Sequence, residues 1–242
     1  ARLAAGNLKN VYVIDSTQLT TGVGLLLLYA RELINAGQDI ITIVNKLEER
    51  KQHVQTSFVI EKLDYLHKGG RCSTLALLGA NLLKIRPSIA MKNGVLGLHK
   101  KYRGKMEDVV KNYVNDTFAE FSNPDLNYCF ITYSTATPEM LEAARKAIKE
   151  NANFKAIYET RTGATVTSHC GQNTLGVVYF NDGTAIYDEE KKDKLKIKQE
   201  KKQLKINVKE MKVKTKAEIN QIKGKDSKED KPKKLKEKKE KK

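Results

Sequence analysis

The chain has no tryptophan, only three cysteines and four prolines, and aromatic residues make up 7% of its 242 positions. Cys72, Cys129 and Cys170 are odd in number, far apart, and contain no CxxC pair. That spacing excludes a disulfide framework and a zinc ribbon, and favours a reducing, cytoplasmic setting. Long apolar runs are absent too. The longest, Gly22 to Ala30, ends at Arg31 after nine residues, where a spanning helix needs about 20. No charged-then-apolar leader opens the chain, and its first residue is not Met. Signature motifs are missing as well: no GxGxxG, P-loop, HExxH or GxSxG is present.

What the chain has in excess is positive charge, +16 at neutral pH. The excess is local. Residues 191–242 hold 23 lysines against 9 acidic residues, a net of +14, which leaves 22 basic and 20 acidic residues in 1–190. Beyond Asp188 the aromatics vanish and apolar residues are thin, too few to offset about 1–2 kcal/mol of backbone ordering per residue. A disordered, Lys-rich tail is expected over 189–242. Its default role is solubilising; contact with RNA or an anionic membrane surface is the alternative. No aromatic residue interleaves the lysines to stack on bases, which argues against specific nucleic-acid binding.

The body alternates strand and helix patterns. VYVID (11–15) reads as a buried strand. Thr20 or Thr21 caps a helix that is apolar nearly all round, is therefore expected to be buried against a sheet, and stops near Gly37. Asp39 caps a second helix through Gln52. TSFVI (56–60) is a strand, followed by a helix from Glu61 to Gly69-Gly70 and another from about Ser73 to Leu83. Residues 84–102 form a hairpin around Asn93-Gly94, and Pro87 marks its first arm as an edge strand. A striped helix spans 104–121, YCFITY (128–133) is a strand, and Thr137-Pro138 opens a helix to about Glu150. Strands at 154–160 and 175–180 complete an α/β pattern in which the hairpin interrupts an otherwise parallel arrangement.

Several segments are candidates for chemistry. Thr21-Gly22-Val23-Gly24 at a helix start matches a phosphate loop loosely, and structural punctuation explains it equally. The four histidines lack metal-ligand spacing. His169 and Cys170 are adjacent, so their side chains should diverge; a Cys/His hydrolase remains the enzyme alternative. GATVTSHCGQNTLG (163–176) reads as a loop of small and hydroxyl residues around His169. Gly171 and Asn173 supply backbone N–H groups for an anion nest, and the imidazole is a donor for a carboxylate; a tight loop with an incidental histidine is the plainer account. Arg71 follows a Gly-Gly helix stop and either caps carbonyls or meets an acidic partner. Arg103 sits among Lys100, Lys101 and Lys105, by default a solvated patch.

The blocks VYVIDSTQLTTGVG, FVIEKLDYLHKGGRCS, LLKIRPSIAMKNG with KKYRGKM, and SHCGQNTLG, in this order and spacing, resemble the DegV family over about residues 1–181. The resemblance implies a two-domain α/β protein that holds one long-chain fatty acid between its domains and presents the carboxylate to a fatty acid kinase catalytic subunit, without catalysing the reaction itself. It implies no cofactor beyond the bound fatty acid. His169 is implied as a carboxylate ligand, with Arg71 and Arg103 facing the kinase. Two departures are visible. Gln172 stands where the family usually has proline, and about half of the first domain, including the hydroxyl residues that hold the head group beside the histidine, has no counterpart. The expected organisation is a truncated first-domain remnant (1–54), a second domain (55–188) and the tail, with the chain as a fragment.

Overall fold

A computed structural model describes residues 1–6, 8–70, 85–92 and 94–182. The chain divides into two units, Ala1–Asp188 and Glu189–Lys242, and every described residue lies in the first. The Lys-rich tail, the helix expected at 73–83 and Arg71 lie outside the described residues.

In chain order the elements are α1 (Arg2–Ala5), α2 (Thr21–Asn35), α3 (Ile40–Arg50), β1 (Val54–Val59), α4 (Asp64–Lys68), β2 (Arg86–Lys92), β3 (Val95–Tyr102), α5 (Met106–Glu120), β4 (Pro124–Tyr133), α6 (Pro138–Asn151), β5 (Ala156–Arg161), α7 (Ala164–Cys170) and β6 (Leu175–Asn181). The six strands form one sheet in the order β3-β2-β1-β6-β4-β5. The α/β class holds, but the parallel arrangement does not: among the described residues only β4 and β5 pair in parallel, and the other ladders are antiparallel. The reason is connectivity. Only α6 serves as a crossover between parallel neighbours, whereas the hairpin and the return of β6 between β1 and β4 reverse direction.

Residue alternation along the strands separates two faces. Val59, Leu175, Val177, Tyr179, Cys129 and Ile131 point to one side, where they pack against the stripes of α5 and α6 through Val109, Val110, Tyr113, Met140 and Ile148. Phe118 stacks on Tyr179 with centroids 4.8 Å apart. Val54, Phe130, Val178 and Phe180 point to the other side, under Leu25, Leu26 and Leu33 of α2 and Ile43 and Leu47 of α3. That second face is only partly covered by helices. Thr56, Phe58, Thr132 and Gly176 lie beyond them and line a cavity.

Several helix signals act as expected. Both oxygens of the Asp39 side chain engage the start of α3: Oδ1 accepts from the N–H groups of Ile41 and Thr42, and Oδ2 from the Thr42 hydroxyl. These bonds, the Thr42 hydroxyl first, hold its carboxyl below the usual range. The Thr137 hydroxyl accepts from Met140 N–H at the start of α6, and Gly37 ends α2 at φ +70°.

Other expectations are corrected. Residues 11–15 form no strand: Val11 is 48% and Tyr12 43% exposed. Strand character is not enough without a neighbouring ladder, and among the described residues this run pairs with none of the six strands. It is held instead by Ile14 against the α2/α3 cluster and by Lys51 Nζ donating to the Asp15 carbonyl. Helix α2 is not buried all round, since Leu27 is 67% and Ile34 61% exposed; the sheet reaches only its Leu25–Leu33 side. Thr20 makes no side-chain cap; the hydroxyl of Thr21 bonds that of Thr132 at 2.6 Å instead. α4 begins at Asp64 rather than Glu61, because Glu61 is occupied by Asn173 and Arg86. Pro87 does not mark an edge: β2 lies between β3 and β1. Pairing with β1 starts one residue later at Ser88, and Pro87 sits at a register irregularity where its carbonyl accepts from Ile60 N–H. The N–H that proline lacks is needed by neither neighbour.

Candidate functional site

The uncovered part of the sheet opens into a cavity of about 580 Å³, within the roughly 300–1,000 Å³ typical of small-molecule sites. Its floor is the row Phe58, Gly176 and Thr132, with Thr56 and Val178 two residues further along the strands. Gln18, Leu19 and Thr20, leading into α2, form one wall; Met91 and Gly94–Leu96 at the hairpin tip form another. α7 and the end of α4 close the cavity through Thr165, Val166, His169, Leu66 and Gly70. Among the described lining residues there is no lysine, arginine or carboxylate. The surface is apolar with hydroxyls set into it.

Most of those hydroxyls are used within the protein. Thr56 donates to Gln18 Oε1 at 2.8 Å, Thr132 pairs with Thr21, Thr162 with Thr167, and Thr174 donates to the Cys170 carbonyl. Thr165 and His169, four residues apart, share one face of α7. Among the described residues the His169 imidazole has no hydrogen-bond partner. The ring is half-buried and lies against the backbone of Gly69, where an added Cβ would overlap Nδ1 and come within 3.2 Å of Cε1.

The segment 163–176 is therefore not a loop as its composition suggested. Seven of its residues form α7, even though β-branched Thr165, Val166 and Thr167 have modest helix propensity. Tertiary contacts decide the matter: Thr162 ties to Thr167 at 2.9 Å, and the ring of Tyr65 sits on Gly171. The expected anion nest is closed. Gly171 N–H donates to the Thr167 carbonyl and Asn173 N–H to the Thr135 hydroxyl. The Ser134 hydroxyl donates to the Gly171 carbonyl at 2.6 Å, and Asn173 Nδ2 reaches Glu61. The phosphate-loop alternative at 21–24 is likewise closed, since the N–H groups of Gly22, Val23 and Gly24 donate to Leu19 and Thr20 carbonyls. Gly22 is there for close packing on β1: a Cβ would stand 2.8 Å from Thr56 Oγ1.

Of the three residues singled out in the sequence, His169 lines the cavity. Arg103 is exposed in the turn between β3 and α5 and does not line it. The register places Arg103 at the sheet end from which α7 also leaves. Arg71 follows Gly70, the last described residue of its segment. Thr56, Thr132, Thr165 and Gln18 were missed, because only the sheet register and the turn of α7 bring them together.

Cys170 is buried, and burial pushes its thiol above the ordinary range; the same cause acts more strongly on Cys129. A hydrolytic cysteine needs the opposite shift. Peptide-resolved alkylation with iodoacetamide at pH 7.5 should label both at least about tenfold more slowly in the native chain than in denaturant. Equal rates would show that burial does not protect them. Among the described residues no cluster of His, Cys, Asp and Glu can hold a metal ion, and no helix is long and apolar enough to cross a membrane.

A family model described as an uncharacterised protein of the DegV family matches residues 1–182. The chain belongs to the DegV family. A DegV domain-containing protein of Clostridium acetobutylicum is 31% identical over 174 residues, covering 71% of this chain and 60% of the relative. The chain thus spans about 60% of the length of the curated DegV relatives it matches. Among solved structures, a DegV family protein from Thermus thermophilus described for its fatty acid binding aligns with a TM-score of 0.66 at 23% identity, covering 74% of this chain and 63% of the other. The Streptococcus pneumoniae fatty acid kinase (Fak) B3 protein loaded with linoleic acid aligns with a TM-score of 0.62 at 21% identity, covering 72% and 60%. These likenesses establish the DegV fold for the described residues.

Proposed function

We propose that this chain binds a long-chain fatty acid in the cavity, takes its carboxylate at His169, and presents it to a fatty acid kinase catalytic subunit, making and breaking no bond itself. The observation that carries the reading is the His169 imidazole, without a partner among the described residues, in the wall of an apolar cavity whose described lining holds no fixed charge. Each buried methylene contributes about 0.8 kcal/mol before the costs of association. A carboxylate drawn in with the chain must receive hydrogen bonds; the imidazole N–H and the neighbouring Thr165 hydroxyl supply them without a permanent cation. The fatty-acid-binding and fatty-acid-kinase descriptions of the solved DegV neighbours support the assignment. Arg103, and Arg71 beyond the described residues, are assigned to the kinase-facing rim, where a guanidinium suits a phosphorylated head group or acidic surface. The organisation carried with this reading is a first-domain segment at 1–54, a second domain at 55–188 and a basic tail, in the cytoplasm.

Mass spectrometry of lipid copurifying with the recombinant chain tests the reading, followed by retention of added oleate. A single acyl species per chain is expected, and His169→Ala should reduce oleate retention about tenfold, the worth of one hydrogen bond to a charged group. Absence of bound acyl chain, or unchanged retention by His169→Ala, would overturn it.

A further inference from the structure

The contact between Gly69 and His169 carries more than close packing. Gly69 has φ −75° and ψ −5°, ordinary helical values that any residue adopts, so its backbone does not call for glycine. Space does: a Cβ there would overlap His169 Nδ1 and crowd Cε1. The imidazole lies edge-on against this bare Cα, with Nδ1 on the α4 side. His169 also lines the cavity.

Resting on the reading that His169 takes the carboxylate, we infer that Gly69 is a positioning residue: its bare Cα seats the Nδ1 edge of the ring and thereby presents Nε2–H to the ligand. The tautomer follows from the seating. A proton on Nδ1 would point at a methylene and find no acceptor among the described residues, which leaves a donor unsatisfied; an unprotonated Nδ1 instead takes a weak Cα–H contact. The neutral ring accordingly carries its proton on Nε2, oriented as a donor to an anion. Any side chain at position 69 swings the ring out of that seat.

The test uses the full chain with ¹⁵N-labelled histidine and three variants, Gly69→Ala, His169→Ala and the double variant. The His169 ring signals, assigned by their loss in His169→Ala, should show an unprotonated Nδ1 and a protonated Nε2. Gly69→Ala should shift those signals, lower the melting temperature, and reduce oleate retention about tenfold, as a displaced ligand group does. In the His169→Ala background the ring is gone and only the Tyr65 carbonyl oxygen, 3.1 Å from the added methyl, still presses on it, so Gly69→Ala should cost clearly less stability than in the parent and should reduce retention no further. Should Gly69→Ala alone fail to fold, recovery of folding in the double variant supports the seating, and a double variant that also fails overturns it. Unchanged ring signals in Gly69→Ala, a proton on Nδ1, or additive losses in the double variant would likewise overturn it. The lipid reading fails separately: if His169→Ala retains oleate as the parent does, the carboxylate assignment falls, while the ring signals and melting temperatures still decide the seating.

Discussion

Replacing Gly171 with alanine is expected to destabilise the chain by about 4 kcal/mol, combining about 1–3 kcal/mol of backbone strain with a similar cost of overpacking. Gly171 ends α7 at φ +76° and ψ −174°, a region open to glycine and essentially closed to residues with a Cβ. A methyl group there would also overlap Cδ2 of Tyr65 and stand 2.7 Å from its Cε2. Relief by rotation is blocked, because the Gly171 N–H is held by the Thr167 carbonyl and its own carbonyl accepts from Ser134. For a unit of this size each kcal/mol lowers the melting temperature by roughly 2–4 °C, so thermal denaturation of the full chain should show a drop of about 12 °C. Gly163→Ala is the matched control at the other end of α7: it has ordinary extended φ/ψ, an added methyl would meet nothing within 4 Å, and the change should be near neutral. A loss below about 1 kcal/mol for Gly171→Ala would mean that the turn relaxes in a way these bonds do not allow.

Arg50→Ala should cost about 3 kcal/mol, near the lower end of the range for breaking a buried ion pair, because its partners are partly exposed. The guanidinium pairs with Asp125 at the start of β4 and Asp182 just past β6. It also lies over the rings of Phe180, 4.2 Å from the centroid, and Tyr29, at 5.5 Å. One side chain thereby joins α2, α3 and two strands at the sheet end opposite α7. Its own side chain is 17% exposed and Asp125 18%, so truncation strands a poorly hydrated carboxylate. Arg50→Lys keeps the charge but loses the planar fork and the stacking, and should recover less than half of the loss. Urea denaturation of the three proteins decides this; a lysine variant as stable as the parent would reduce Arg50 to a simple point charge.

The fold was legible where local chemistry is sufficient. Asp39, Thr137-Pro138, Gly37 and the Asn93-Gly94 turn mark boundaries through their own hydrogen bonds and dihedral preferences, and the structure keeps the elements they delimit. It was illegible where a neighbour decides. Residues 11–15 have the composition of a strand and lack a ladder partner among the described residues; residues 164–170 have poor helix formers and become a helix because Tyr65, Thr162 and Ser134 hold both ends. Pro87 misled because the position of a strand in the sheet order is a property of all six strands. The site divides in the same way. His169 stood out by chemical type, and the DegV resemblance assigned it a role. Thr56, Thr132 and Gln18 have no local signature, since 38 residues separate Gln18 from Thr56 along the chain and only their hydrogen bond joins them.

The two-sided alternation of β1 and β6 has an evolutionary consequence. Ser57, Val59, Val177 and Tyr179 serve the packing under α5 and α6, while Thr56, Phe58, Gly176 and Val178 belong to the opposite side of the same strands. The central strands thus act as a firewall. Selection can resize or repolarise the chamber at Thr56 and Phe58 while the close-packed layer behind them stays untouched; Gly176, where a Cβ would stand 2.6 Å from the Ser57 carbonyl oxygen, and Val178, packed under α2 and α3, are not free in the same way.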